Sequence, residues 1–191
     1  MTGRDRRART RGLTLVETSV LLCILGVFLA VSIPTFVRKL RTSKISEASE
    51  QVANIYRATA TYYATPQPTD GGKRLRCLPQ PAGPAPALPS PEPVAVEFGS
   101  PETPGHATWR AIGFQPEAPV RYRYSLFPAA VGCGVAAPEA ADGDSSGRLL
   151  TVRAEGDLDG DGQLSTFERT ARAGEGVLVP DPLLFTHDRV E

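Results

Sequence analysis

The chain has 191 residues and a formal net charge of zero, enough for one domain with a modest core. Eighteen Gly and eighteen Pro lie well above ordinary usage and exclude a long, uniformly helical protein. The neutrality conceals a split: residues 1–91 carry 13 Lys and Arg against 5 Asp and Glu, and residues 92–191 carry 8 against 16. An acidic carboxyl-terminal half excludes a general nucleic-acid binder.

The chain opens on a basic leader, with Arg4, Arg6, Arg7, Arg9 and Arg11 against Asp5. From Leu13 to Val37 it is apolar, with one formal charge, Glu17. As a helix this stretch is roughly 37 Å long, enough to cross a hydrocarbon core of about 30 Å. A cleaved secretory signal fits poorly: the run exceeds the usual 7–15 apolar residues by a wide margin, and no small-residue cleavage site closes it. Glu17 is the anomaly, since a carboxylate in lipid costs a few kcal/mol unless it finds a partner. It either pairs with an opposite charge or lies near the headgroups and snorkels.

Gly12-Leu13-Thr14-Leu15-Val16-Glu17, continued through Gly26 and Pro34, resembles the prepilin cleavage motif of type IV pilins and of the pseudopilins of type II secretion. The resemblance covers residues 6–64. It implies a prepilin peptidase that cuts between Gly12 and Leu13 and methylates the new amino terminus. It implies an inner-membrane subunit with its head in the periplasm, which then joins a periplasmic or cell-surface filament. Copies of the chain or other pilin-like subunits, and an inner-membrane assembly platform, are the implied partners. Glu17 of one subunit would meet the new amino terminus of its neighbour and set register, because a buried charge needs an opposite partner. Leu13 departs from the commoner Phe, and Thr18-Ser19 is more polar than is usual for the family.

The expected organisation is a leader over 1–12, a transmembrane and assembly helix over 13–37, an amphipathic stem over 38–64, a connector over 65–93 and a head over 94–191. In the stem, Ile45, Ala48, Val52, Ile55, Tyr56, Tyr62 and Tyr63 form one helical stripe, with Glu47, Glu50 and Arg57 elsewhere on the surface. Pro34 removes a backbone hydrogen bond and should kink or locally melt the helix; in the family such a Pro marks a stretch that unwinds on assembly. Seven prolines between Pro79 and Pro93 read as an extended, semi-rigid connector over the surface.

Four β-like runs follow, Val94–Phe98, Val120–Leu126, Leu149–Ala154 and Gly176–Val179, separated by Gly and Pro clusters. A long helix leaning on a small antiparallel sheet is an α+β, pilin-like architecture. The stretch from Ala107 to Phe114 is apolar enough to cap that core, with Trp109 a core or rim aromatic in preference to a ligand platform. Cys23 reads as a small apolar residue of the membrane helix. Cys77 and Cys133 fall in a head that, on the implied topology, faces an oxidising compartment. Their pairing is expected to close a loop of about 55 residues, worth about 3–4 kcal/mol.

Residues 157–168, DLDGDGQLSTFE, match the twelve-residue EF-hand loop register. Asp157, Asp159 and Asp161 supply carboxylates at positions one, three and five; Gly162 allows the turn, and Gln163 offers its backbone carbonyl. Ser165 acts directly or through water, and Glu168 closes the set with both oxygens. This oxygen-rich set suits a structural Ca²⁺, between a preceding strand and an expected exit helix over Ser165–Arg172. A metal-free Asp/Gly turn is the bland alternative. No credible Ser/His/Asp or Cys/His set is present, so an enzyme is not expected. The sequence therefore points to a structural subunit of a type IV pilus or type II secretion pseudopilus. A non-polymerising, membrane-anchored, calcium-dependent adhesin or ligand-binding protein is the alternative.

Overall fold

The computed structural model describes residues 14–69, 71–134, 148–174, 176–182 and 184–187; the side chains of 34–44 and 173 lie outside that description. The chain divides into two compact units, Met1–Thr42 and Ser43–Glu191. Helix α1 is assigned over Leu15–Ala64 and runs through Pro34 without a break.

In the first unit, α1 presents twelve large apolar side chains between Leu15 and Ile33, none less than 45% exposed. The second unit has its own core. Ala48, Val52, Ile55 and Thr59 recur at helical spacing on α1, and all four are fully buried, as residues on one helix face must be when that face meets a sheet. Thr59 satisfies its hydroxyl within the helix, donating to the Ile55 carbonyl at 2.8 Å.

The remaining elements are β1 (Gln67–Pro68), β2 (Arg74–Leu75), β3 (Cys77–Leu78), β4 (Ala82–Ala85), α2 (His106–Ile112), β5 (Arg123–Pro128), β6 (Gly132–Cys133), β7 (Arg148–Gly156), β8 (Ser165–Ala173), β9 (Leu178–Pro180) and β10 (Phe185–His187). The main sheet runs β10-β8-β7-β5-β4, with β9 also on β8, and every pairing in it is antiparallel. The α+β expectation holds. The inner face carries Tyr124, Leu126, Val152, Ala154, Phe167 and Ala171, all buried with the α1 residues in one cluster. On the other face, charged residues pair across strands in register: Arg123 with Glu155 at 2.8 Å, and Arg153 with Glu168.

Four expectations need correction. The exit helix over Ser165–Arg172 is strand β8. Ser165, Phe167 and Ala171 are buried while the residues between them are not, a period of two that matches a strand, and Thr166 and Thr170 favour it. Val94–Phe98 is no strand beyond a single bridge, Val94 to Val120. The Gln115 side chain takes the place of a ladder, accepting from the Phe98 N–H and donating to the Val96 carbonyl, both at 2.9 Å. The Pro-rich connector is partly core: Leu78, Ala82 and Ala85 are buried, and β4 is an edge strand. An edge position tolerates Pro84, because one side of the strand needs no N–H. Finally, Glu47 is not a surface residue. Its half-buried carboxylate accepts from the Arg121 N–H at 2.7 Å, Arg121 Nη1 at 3.1 Å and the Tyr124 hydroxyl at 3.4 Å.

Helix α2 lays Trp109 into the core, where it is fully buried and donates its Nε1–H to the Pro104 carbonyl at 3.0 Å. Phe98 meets Trp109 and Phe114 edge to face, with centroids 5.3 and 5.0 Å apart. Trp109 is a core aromatic, as its sequence context implies.

Candidate functional site

Three features are candidates for function: the apolar span, the disulfide-closed end of the head, and the Asp loop. The span Leu15–Ile33 is long and apolar enough to cross a membrane. At its start Thr14 and Glu17 hold each other. The Thr14 N–H and hydroxyl both donate to Glu17 Oε2, at 2.8 and 2.9 Å, and the Glu17 N–H returns to Thr14 Oγ1 at 3.3 Å. This is a capping box, which satisfies N-terminal N–H groups that the helix leaves without partners. The T-x-x-E spacing signals it, and the sequence reading of Glu17 as an assembly residue passed over it. The proposed scissile pair, Gly12 and Leu13, lies outside the described residues.

In the head, Cys77 and Cys133 are joined by a disulfide with Cα atoms 3.9 Å apart. They are register partners on β3 and β6, a two-stranded pair separate from the main sheet. Cys23 is free and exposed on the apolar span.

The β7–β8 connection carries the acidic loop. One carboxylate oxygen from each of Asp157, Asp159 and Asp161 lies within 4.8 Å of the others. Asp157 is half-buried; Asp159 and Asp161 are exposed. The loop folds around Asp157: its Oδ1 accepts from the Gly160 N–H at 2.7 Å and its Oδ2 from the Gly162 N–H at 3.1 Å. Gly160 and Gly162 have φ of 80° and 89°, which residues with a Cβ adopt only at a cost. Leu158 turns inward and is buried. The Asp161 carboxylate accepts from the Gln163 N–H at 2.8 Å and the Gln163 side-chain amide at 3.1 Å.

Two of the other expected ligands, Glu168 and Ser165, are engaged elsewhere. Glu168 stands on β8 opposite Arg153 and pairs with it, because a strand carries the twelfth loop position away where a helix would bring it back. Ser165 is fully buried and donates to the Gly156 carbonyl at 3.1 Å, closing the hairpin. Asp157, Asp159 and Asp161 thus bring three carboxylates together, an all-oxygen donor type that fits a hard cation.

Two phenols near Glu47 are strongly perturbed. Burial, with the Glu47 charge and hydroxyl contact adding to it, holds the Tyr124 hydroxyl protonated far above its ordinary range. Burial pushes Tyr122 up to about 12.

No family model matches the chain, and no solved structure matches it. The chain is similar to the type IV major pilin protein PilA of Myxococcus xanthus (strain DK1622), with 34% identity over 56 residues. That stretch covers 29% of this chain and 26% of the relative's own length.

Proposed function

We propose that this chain is a pilin-like structural subunit. It spans the inner membrane once, is cut between Gly12 and Leu13 by a prepilin peptidase and methylated at Leu13. It then packs through its amino-terminal helix against copies of itself or other pilin-like subunits, on an inner-membrane assembly platform. Its filament is a type IV pilus or a type II secretion pseudopilus. One observation carries the reading: twelve large apolar side chains stand exposed between Leu15 and Ile33 while the head is closed over its own core. Such a stripe is stable only in lipid or among other helices. The similarity to a type IV major pilin supports it.

Within this reading the capping box gives Glu17 a second task. Hydrogen bonds to Thr14 hold its carboxylate at the first helical turn, one residue from the amine that cleavage would create on Leu13. A neighbour's ammonium would be the stronger partner in an apolar layer, because two opposite charges there stabilise each other more than neutral donors stabilise one.

The deciding experiment is the intact mass of the membrane-extracted chain, with and without a co-expressed prepilin peptidase. Loss of residues 1–12 with the gain of one methyl group, dependent on the peptidase, is the expected result. An uncut chain, or a Glu17→Ala variant that localises and functions normally, would favour a non-polymerising anchored protein.

We also propose that Asp157, Asp159 and Asp161 hold a structural Ca²⁺, with the Gln163 backbone carbonyl as a further oxygen ligand and with Ser165 and Glu168 outside the set. The ion would neutralise three crowded carboxylates and rigidify the β7–β8 connection. Calorimetric titration of the full chain in detergent tests it. Millimolar Ca²⁺ should raise the unfolding temperature, and Asp157→Ala with Asp161→Ala should abolish the rise; no rise in the unaltered chain would overturn the assignment.

A further inference from the structure

We propose that the cationic end of the head, around Lys73 and Arg76, docks the Asp157–Asp161 loop of a second copy of this chain, an inference that rests on the polymerising reading above. Strand β8 separates the two surfaces. The acidic loop leads into Ser165 at one end of β8. Beyond Ala173 at the other end, the chain reaches Gly176, where a Cβ would come within 2.6 Å of Arg76 Nη2. The Arg76 guanidinium therefore lies against that turn. Nine strand residues span about 30 Å, several times the screening length of about 8 Å in physiological salt. The two charged ends of one head cannot neutralise each other.

Among the described residues the cationic end has no acidic partner. Lys73, Arg74 and Arg76 are all exposed within four residues. Arg74 is occupied, donating from Nε and Nη2 to the Pro66 carbonyl at 3.3 and 3.2 Å. Lys73 and Arg76 meet no carboxylate among the described residues. Arg76 borders an open pocket of about 280 Å³ that Tyr63, Leu75 and Gly134 also line. That recess suits a protruding loop, and Asp159 and Asp161 are the exposed carboxylates of the loop at the opposite end. Charge complementarity thus selects a second copy as the occupant. Because donor and acceptor surfaces differ and lie at opposite ends, the contact is heterologous, the class of contact from which an open filament is built.

The sequence offers a direct probe. Lys73 is the one lysine beyond Lys44, so a zero-length carbodiimide bond from a head lysine must involve it. The full chain is assembled in membranes from a mixture of nitrogen-15-labelled and unlabelled copies, in chelator, and treated with the carbodiimide. The expected product is a multimer ladder in which Lys73 of one isotopic form is bonded to Asp159 or Asp161 of the other. Lys73→Glu with Arg76→Glu removes the amine that the carbodiimide needs, so its self-association is read by sedimentation in detergent, where it should fall about 2- to 30-fold, the range for two exposed ion pairs. Asp159→Lys with Asp161→Lys should do the same, and co-expression of the two reversed chains should restore mixed dimers. Ca²⁺ on the loop would leave one of its three negative charges and weaken the ladder.

Multimers whose yield ignores both reversals, or Lys73 bonded to other carboxylates, would overturn the docking while leaving the polymerising reading intact. Failure of the unaltered chain to associate under any condition would overturn both. Near-ultraviolet circular dichroism of the reversed chains separates lost docking from lost folding, and restoration by co-expression does so independently.

Discussion

Replacing Glu47 by Ala should loosen α1 from the head. The carboxylate holds three donors at once: the Arg121 N–H, the Arg121 guanidinium and the Tyr124 hydroxyl. Its side chain is 15% exposed and that of Arg121 27%, so neither is fully desolvated. Leaving a buried donor unsatisfied costs about 1–3 kcal/mol, and breaking a fully buried ion pair about 3–5 kcal/mol. Partial exposure and the weak third contact bring the sum to roughly 2–4 kcal/mol. For a cooperative unit of this size that is a fall in melting temperature of roughly 4–16 °C. Glu47→Gln keeps the acceptor oxygen and the shape, and should lose only about 1 kcal/mol. The assay is thermal unfolding of the full chain in detergent, followed by near-ultraviolet circular dichroism, with Arg121→Met completing a double-mutant cycle. A Glu47→Ala variant within 0.5 kcal/mol of the unaltered chain, or additive effects of the two substitutions, would refute the clip.

Gly156→Ala should destabilise the head by about 1–3 kcal/mol, the range for overpacking. The new Cβ would lie 2.5 Å from Tyr122 Cε1, on a ring that is fully buried. A shift in the urea midpoint at constant slope measures it; an unchanged midpoint would mean the ring can move. Cys77→Ser with Cys133→Ser releases a closure of 56 residues and should cost about 4 kcal/mol. Hydrogen exchange should then be fastest in β3 and β6, which pair over only two residues each. The head should also lose stability above about pH 10, the ordinary phenol range. Folded Tyr122 and Tyr124 stay protonated there, while the unfolded chain releases those protons and is favoured. Their contribution is complete below pH 10 and falls by at most about 1.4 kcal/mol per pH unit per phenol above it. Phenolate absorbance that rises together with unfolding is the expected observation; titration of both phenols in the folded head near pH 10 would contradict it.

Much of the fold was legible because two periodicities are local properties. The stripe of Ala48, Val52 and Ile55 marks the helical face that the sheet covers, and the apolar run to Ile33 marks a stretch that stays exposed among the described residues. The alternation from Tyr122 to Leu126 likewise marks β5. Ser165–Arg172 was misread because its residues tolerate either state, and only pairing with β7 settles it as strand. Glu168 followed that error: the EF-hand register is a sequence pattern, but the twelfth ligand depends on a helix that turns the chain back. Glu47 was misplaced because a charge is ordinarily solvated, and its partner, Arg121, lies 74 residues away.

The sequence by itself determined the apolar span with its Glu17, the acidic loop and the two cysteines available to pair, since each depends on composition or short spacing. Only the tertiary structure decided that the Pro-rich stretch supplies an edge strand, that Glu47 clips α1 to Arg121, and that the acidic and cationic surfaces stand at opposite ends of β8. Those outcomes depend on which distant backbones find each other. Long-range pairing is fixed by the packing of the whole core, and no local window of residues records it.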